Sequence, residues 1–300
     1  MGHPQNLVFL GKLFALGSAL VWAVAVILFR ISGRTVHPLG LNLVKSLVSC
    51  ILLVPTIWLL NQPLFPSLPL KSYGWLLLSG IIGIAFSDTL LFESLNRLGA
   101  SLSAIVSYSY SPFVIILASL FLFESMTLWQ LIGVGFIILA VVMISHKNGI
   151  QNISQKDLII GIILGLLAML AMAISIIIMK PVLTHSSVLW ATLIRTLGGL
   201  VLLFPVIQIH PQRRRIYQSV FSSKNRIPML SGSFLGGYAA LIVWMAGMKY
   251  AQVSEASVLN QMNSVFIFVL GVIFLKEPTT RKKVLAFGIA FCGVILVLLG

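Results

Sequence analysis

Two basic residues stand in runs that otherwise read as lipid-soluble. Lys45 lies in LNLVKSL (41–47), inside an apolar run from Leu39 to Leu60, and Arg195 lies in ATLIRTL (191–197), 150 positions later. A cation at the centre of a membrane helix costs about 3 kcal/mol on insertion scales, so each such charge needs a partner, a proton to move or a ligand to hold. Few acids are available to answer them: Asp88, Glu93, Glu124, Asp157, Glu255 and Glu277.

With the face carrying the N-terminus called side A and the other side B, Lys45 lies about 12 Å from the side-B end of its helix, and Asp88 about 10 Å from the side-B end of the next one, at 1.5 Å per residue. Matched depth on consecutive antiparallel helices predicts a direct or water-bridged ion pair. Both a fixed tie between the helices and a part in proton or substrate coupling stay open for that pair. Arg195, about 14 Å from side A, has Leu241 where the corresponding acid would stand. Glu255 shares its side but sits near the surface, close to Lys249. A guanidinium without a carboxylate takes amides and backbone carbonyls, or the anionic group of a cargo.

Amides are at hand. Asn260 and Asn263 share a helical face, with Gln261 and Ser264 on the adjacent one, and a matching stripe holds Ser103, Ser107 and Tyr110, flanked by Tyr108 and Ser111. Such residues serve as glue between helices or as the lining of a cavity. The candidate substrate-binding set is therefore Arg195, Asn260, Asn263, Gln261, Ser107, Tyr110, Tyr108 and Trp22, the last as cavity lining or simple packing. Pro112 frees a backbone carbonyl beside that stripe and permits a bend.

Other chemistries are excluded. All five histidines lie at span ends or in loops, Cys50 and Cys292 lie in apolar runs, and no HExxH, GxGD or Cys/His cluster occurs. No metal site or cofactor is indicated, and an intramembrane enzyme lacks its nucleophile and base. No phosphate-binding glycine loop is present, so this chain alone does not spend ATP.

The elements that position these residues follow from composition. The 300 residues are 59% hydrophobic and 9% charged, with mean hydropathy +1.07, leaving too little polar surface for a soluble domain. Ten apolar runs, at 13–29, 37–60, 73–95, 100–123, 127–146, 157–179, 186–209, 227–248, 253–275 and 282–299, have the length of membrane helices. The first is read as a retained span rather than a cleaved signal. The net charge of +14 sits mostly in short connections, the pattern of topology-setting charge rather than of nucleic-acid binding.

The halves repeat. LNLVKSLVSCILLVP (41–55) aligns with ATLIRTLGGLVLLFP (191–205), and SLSAIVSYSYSPFVIILASLFLFE (101–124) with SEASVLNQMNSVFIFVLGVIFLKE (254–277). Basic residue, proline, glutamate and glycine recur at nearly constant offset, which marks a duplication. Five spans per half turn the second half upside down, the plan of many secondary transporters, with a site near the midplane between the halves. The fold class is thus all-α integral membrane, ten transmembrane helices in two inverted five-helix repeats. The units run 1–149 and 150–300.

The ordered set ALVWA (19–23), the basic residue of the second span of each half, LFESLNRLGAS (91–101), FLFES (121–125) and FLKEP (274–278), with glycines after them, resembles the EamA family of the drug/metabolite transporter superfamily. Lys45 stands where that family more often has Arg, and Met172 takes the place of Trp22 in the second half. The resemblance implies a secondary transporter, an exporter of a small polar metabolite, in a bacterial inner (plasma) membrane. The basic-leaning interior favours a zwitterionic or anionic cargo such as an amino acid or another carboxylate. Export of cationic or hydrophobic drugs is the alternative, and an intramembrane enzyme or a receptor or structural role is more remote. The partners implied are the cargo and the bilayer, with monomer and homodimer both open.

Bland roles fall to the rest. Glu93 and Arg97 form an i,i+4 pair, and Glu124 and Glu277 each precede a helix start and serve its terminus or a loop. Side A carries four basic residues, Lys12, Lys71, Lys180 and Lys249, and side B fourteen, among them Arg213, Arg214 and Arg215. The positive-inside rule places side B in the cytoplasm and both termini outside, against the habit of the resembled family.

Overall fold

A computed structural model describes residues 4–123, 127–145 and 153–299. Those residues form ten helical spans, the two inverted five-helix repeats of an all-α membrane protein. Eight spans are long and apolar enough to cross a bilayer: Leu7–Ser32, Pro38–Leu59, Leu70–Leu98, Ala100–Leu122, Gln155–Thr184, Val188–Ile209, Arg226–Tyr250 and Val253–Leu275. In chain order these are spans one to four and six to nine. Span five is Leu128–Ser145 and span ten Arg281–Leu299. They pack against each other, crossing at Gly133 and Gly293. Large apolar side chains such as Ile51, Trp58, Val201 and Phe204 are exposed, the surface that a bilayer covers.

Helix ends follow from local chemistry. His37 caps span two through its ring nitrogen, with Pro38 in the first turn. Ser154 caps span six by accepting from Asp157 N at 3.0 Å. Phe123 and Lys276 end spans four and nine in left-handed conformation, 153 residues apart like the repeats around them. Spans one and six carry a duplicated cap on the third span of their own repeat. Arg30 donates to Asn96 O at 2.9 Å, and Lys180 donates to the carbonyls of Met248 and Ala251. Each places a cation where a helix leaves its last carbonyls unpaired.

Spans three and eight each contain a π-helical segment near the midplane, Ile81–Ser87 and Ser233–Ala240. Such segments misalign backbone groups, and side chains of span two satisfy the freed carbonyls. Asn42 Nδ2 donates to Ile84 O at 2.6 Å, and Ser49 Oγ to Gly237 O at 2.6 Å. The backbones also touch across the repeats. A Cβ on Gly80 would lie 1.8 Å from Arg195 O, and one on Gly237 would lie 2.9 Å from Lys45 O. Each π segment thus rests on the cation-bearing helix of the other half, and only glycine fits there.

Candidate functional site

Spans one to four and six to nine surround a cavity of about 1040 Å³, mouth included, lined by Trp22, Lys45, Asp88, Tyr110, Arg195, Trp244, Asn260 and Asn263 among others. No lining residue comes from span five or ten. The π segments bring Ile84, Gly236, Gly237 and Ala240 to the wall, so the irregular helix turns lie at the site, as π turns often do.

Lys45 Nζ contacts Asp88 Oδ2, both side chains being almost wholly buried. The ammonium also lies 5.6 Å from the Phe92 ring centre. Asp88 Oδ1 has no hydrogen-bond partner among the described residues.

Arg195 is 1% exposed, and no carboxylate lies within ion-pair distance of it among the described residues. Asp88 and Tyr110 line the same cavity as Arg195. Its fork is held by Ser175 Oγ, which accepts from Nη2 at 2.8 Å, and by Met245 Sδ, 3.0 Å from Nη1. Ser175 in turn donates to Ser79 O at 2.8 Å, which orients its lone pairs toward the guanidinium. Trp244 lies with its ring centre 5.5 Å from Arg195 Cζ, and Nε is left without a partner. A thioether is a weak acceptor, so the cation is under-satisfied for its depth.

The amide stripe is a hydrogen-bonded chain. Ser264 Oγ donates to Asn263 Oδ1, Asn263 Nδ2 to Asn260 Oδ1 and Asn260 Nδ2 to Ser18 Oγ, at 3.1, 3.1 and 2.8 Å. Gln261 lines the cavity, yet its Nε2 is committed to the carbonyls of Ser107 and Tyr108 at 3.0 and 2.9 Å. Pro112 has no N–H, so Tyr108 O loses its partner four residues on, and Gln261 from the other repeat supplies one. Span four breaks there, between helices Ala100–Ser107 and Tyr110–Leu122.

Ser107, Tyr110 and Trp22 line the cavity, and so does Met172, the counterpart of Trp22. Tyr108 does not. It is wholly buried with its ring 5.9 Å from that of Phe287 on span ten, because one residue past Ser107 turns about 100° around the helix. Glu255 pairs with Lys12 at 3.1 Å rather than with Lys249, which donates to Ser186 O. Glu277 serves span four rather than span ten, accepting from Ala100 N, Ser101 N and Ser101 Oγ at 2.7, 2.8 and 2.5 Å. Gly99, at φ 81°, makes the turn that presents those donors. Arg97 adds Asp157 to its pair with Glu93. Glu124 lies outside the described residues.

The pattern of the EamA-like transporter family matches residues 9–146 and matches again over 159–299. The chain belongs to that family. Membership makes it a multi-pass membrane transporter of the drug/metabolite transporter superfamily. Solved structures agree on the fold. One, titled only as the crystal structure of a protein, superposes with TM-score 0.70 at 13% identity, covering 96% of each chain. No curated protein matches. The family thus fixes the kind of molecule, while the cargo has to be argued from the cavity.

Trp244, Ser175 and Met245 were not singled out by their sequence context, although all three meet Arg195. Trp244 had one legible signal. It stands three residues after Leu241, on the face that carries Asp88 in the first repeat.

Proposed function

We propose that the chain exports a small polar metabolite with a carboxylate, an amino acid fitting best, by alternating access around the midplane cavity. The observation that carries this reading is Arg195, a buried cation lining the cavity without an ion-pair partner and with Nε unpaired. A carboxylate supplies what the protein withholds, two parallel charged hydrogen bonds to a planar fork. Asp88 Oδ1, also unpartnered, suits an ammonium, and Trp22 and Trp244 give an apolar flank to the cargo's side chain. Asn260 and Asn263 are placed to read its remaining polar groups. A purely cationic drug fits less well, because it brings no anionic group to answer Arg195.

The test is transport in proteoliposomes with a panel of labelled amino acids and dicarboxylates, comparing wild type with Arg195→Lys. Lysine keeps the charge and loses the fork. Losing one charged hydrogen bond, about 1.5–3 kcal/mol, weakens affinity roughly ten- to hundredfold. Unchanged affinity in a variant of wild-type thermal stability returns Arg195 to a structural cation.

A further inference from the structure

The connection between spans seven and eight forms a short helix, Arg213–Phe221, on side B. Its inner face is docked. Ile216 is wholly buried against Leu43 and Ile207, Ser219 Oγ accepts from His37 N at 3.1 Å, and Tyr217 OH accepts from Gln208 Nε2 at 3.0 Å. Docking on this face leaves Arg213, Arg214 and Arg215 exposed.

Nothing in the described residues answers these three charges. The side-B acids are spent elsewhere: Asp88 on Lys45, Glu93 and Asp157 on Arg97, and Glu277 on the start of span four. The arginines also occupy the first turn of their helix, which holds no acid, so they oppose its dipole as well as one another. Burial, and then the neighbouring His210, hold the His37 imidazole below its ordinary value, so the charge of this corner belongs to the arginines. Span seven leads directly into this helix, and on its outer face Leu197, Val201 and Phe204, spaced as one helical stripe, are 38, 64 and 56% exposed.

We infer that this corner binds the headgroup of an anionic phospholipid in the side-B leaflet. The arginine forks take the phosphodiester, and the acyl chains lie along the Leu197–Val201–Phe204 stripe. A negative phosphate at the helix start removes both the mutual repulsion and the conflict with the dipole. The charged helix follows directly on a span whose outer apolar side chains, Ile209 at its end included, are exposed, which is why a lipid rather than a soluble phosphate is the proposed occupant.

The purified full-length chain is titrated in detergent with phosphatidylglycerol, or with phosphatidylcholine of the same acyl chains, and bound lipid is counted by native mass spectrometry. Three arginines near a charged surface give an expected preference for phosphatidylglycerol on the order of a hundredfold. R213Q/R214Q/R215Q should abolish the preference, while K156Q/K276Q/R281Q, the same charge removed elsewhere on side B, should keep it. Hydrogen exchange of the wild type needs no variant to fold. Phosphatidylglycerol, but not phosphatidylcholine, should protect the amides of Arg213–Phe221. Equal binding of the two lipids, equal loss in the control variant, absent protection, or glycerol 3-phosphate binding as tightly as the lipid would each overturn the inference.

Discussion

Lys45 and Asp88 should not be equivalent when one of them is removed. Asp88→Leu leaves two buried cations without an acid, because Asp88 contacts Lys45 and is, among the described residues, the one carboxylate lining the cavity that Arg195 also lines. Lys45→Met strands one acid, and that acid still shares its cavity with Arg195. Breaking a buried pair costs about 3–5 kcal/mol. Asp88→Leu belongs at the top of that range and Lys45→Met at or below its foot. The Phe92 ring under Lys45 does not close the gap, since a cation–π contact is worth about 0.5–2 kcal/mol. The double variant removes the stranded ammonium but leaves Arg195 without any nearby acid, so recovery should be large and incomplete, with a coupling energy of about 1–3 kcal/mol. The assay is denaturant unfolding of the three purified variants in one detergent, with monodisperse yield by size exclusion. A milder Asp88→Leu than Lys45→Met, or a double variant that loses the sum of the singles, would refute the reasoning.

Further outcomes follow from other contacts. Gly80→Ala places a methyl 1.8 Å from Arg195 O, whereas Gly17→Ala meets nothing within 4 Å; folded yield should collapse in the first and hold in the second. Glu277→Gln keeps a carbonyl oxygen for the start of span four but loses the charge, costing about 1–2 kcal/mol, and exchange of the Ala100 and Ser101 amides should rise. A C-terminal fluorescent reporter that lights only in the cytoplasm should stay dark if the side-B charge bias sets the orientation.

The fold was legible because a chain in lipid has few options. Long apolar runs must be helices, and punctuation repeated at offsets of 150 and 153 exposes the duplication. Depth arithmetic alone puts Lys45 level with Asp88. What the sequence hid were departures from a straight helix. A π segment changes no composition, so Ile81–Ser87 and Ser233–Ala240 show only as apolar stretches with a glycine or two, Gly83 in the first and Gly236 and Gly237 in the second. Tyr108 shared a stripe with Ser107 and Tyr110 only loosely, and the break at Pro112 depends on an amide in the other repeat. Glu277 misled because proximity in sequence favours the next helix, while the left-handed Lys276 turns the chain toward span four. Ser175 reads as one more small residue in an apolar span; only the tertiary fold gives it a guanidinium to hold.

The backbone of this protein is nearly two-fold while its charges are not. Asp88 has Leu241 for a counterpart, and Trp22 has Met172. If the halves trade conformations during transport, the exchange does not carry the site into itself. The single acid rides with one half only, so the two end states differ in how well they shelter the same two cations. Under the proposed alternating access, such a carrier left empty would rest toward one face of the membrane, and bound cargo would change the balance only by the difference in its hold on the two states. Putting an acid at position 241 would level that bias. It would turn a lopsided balance into an even one without touching Arg195.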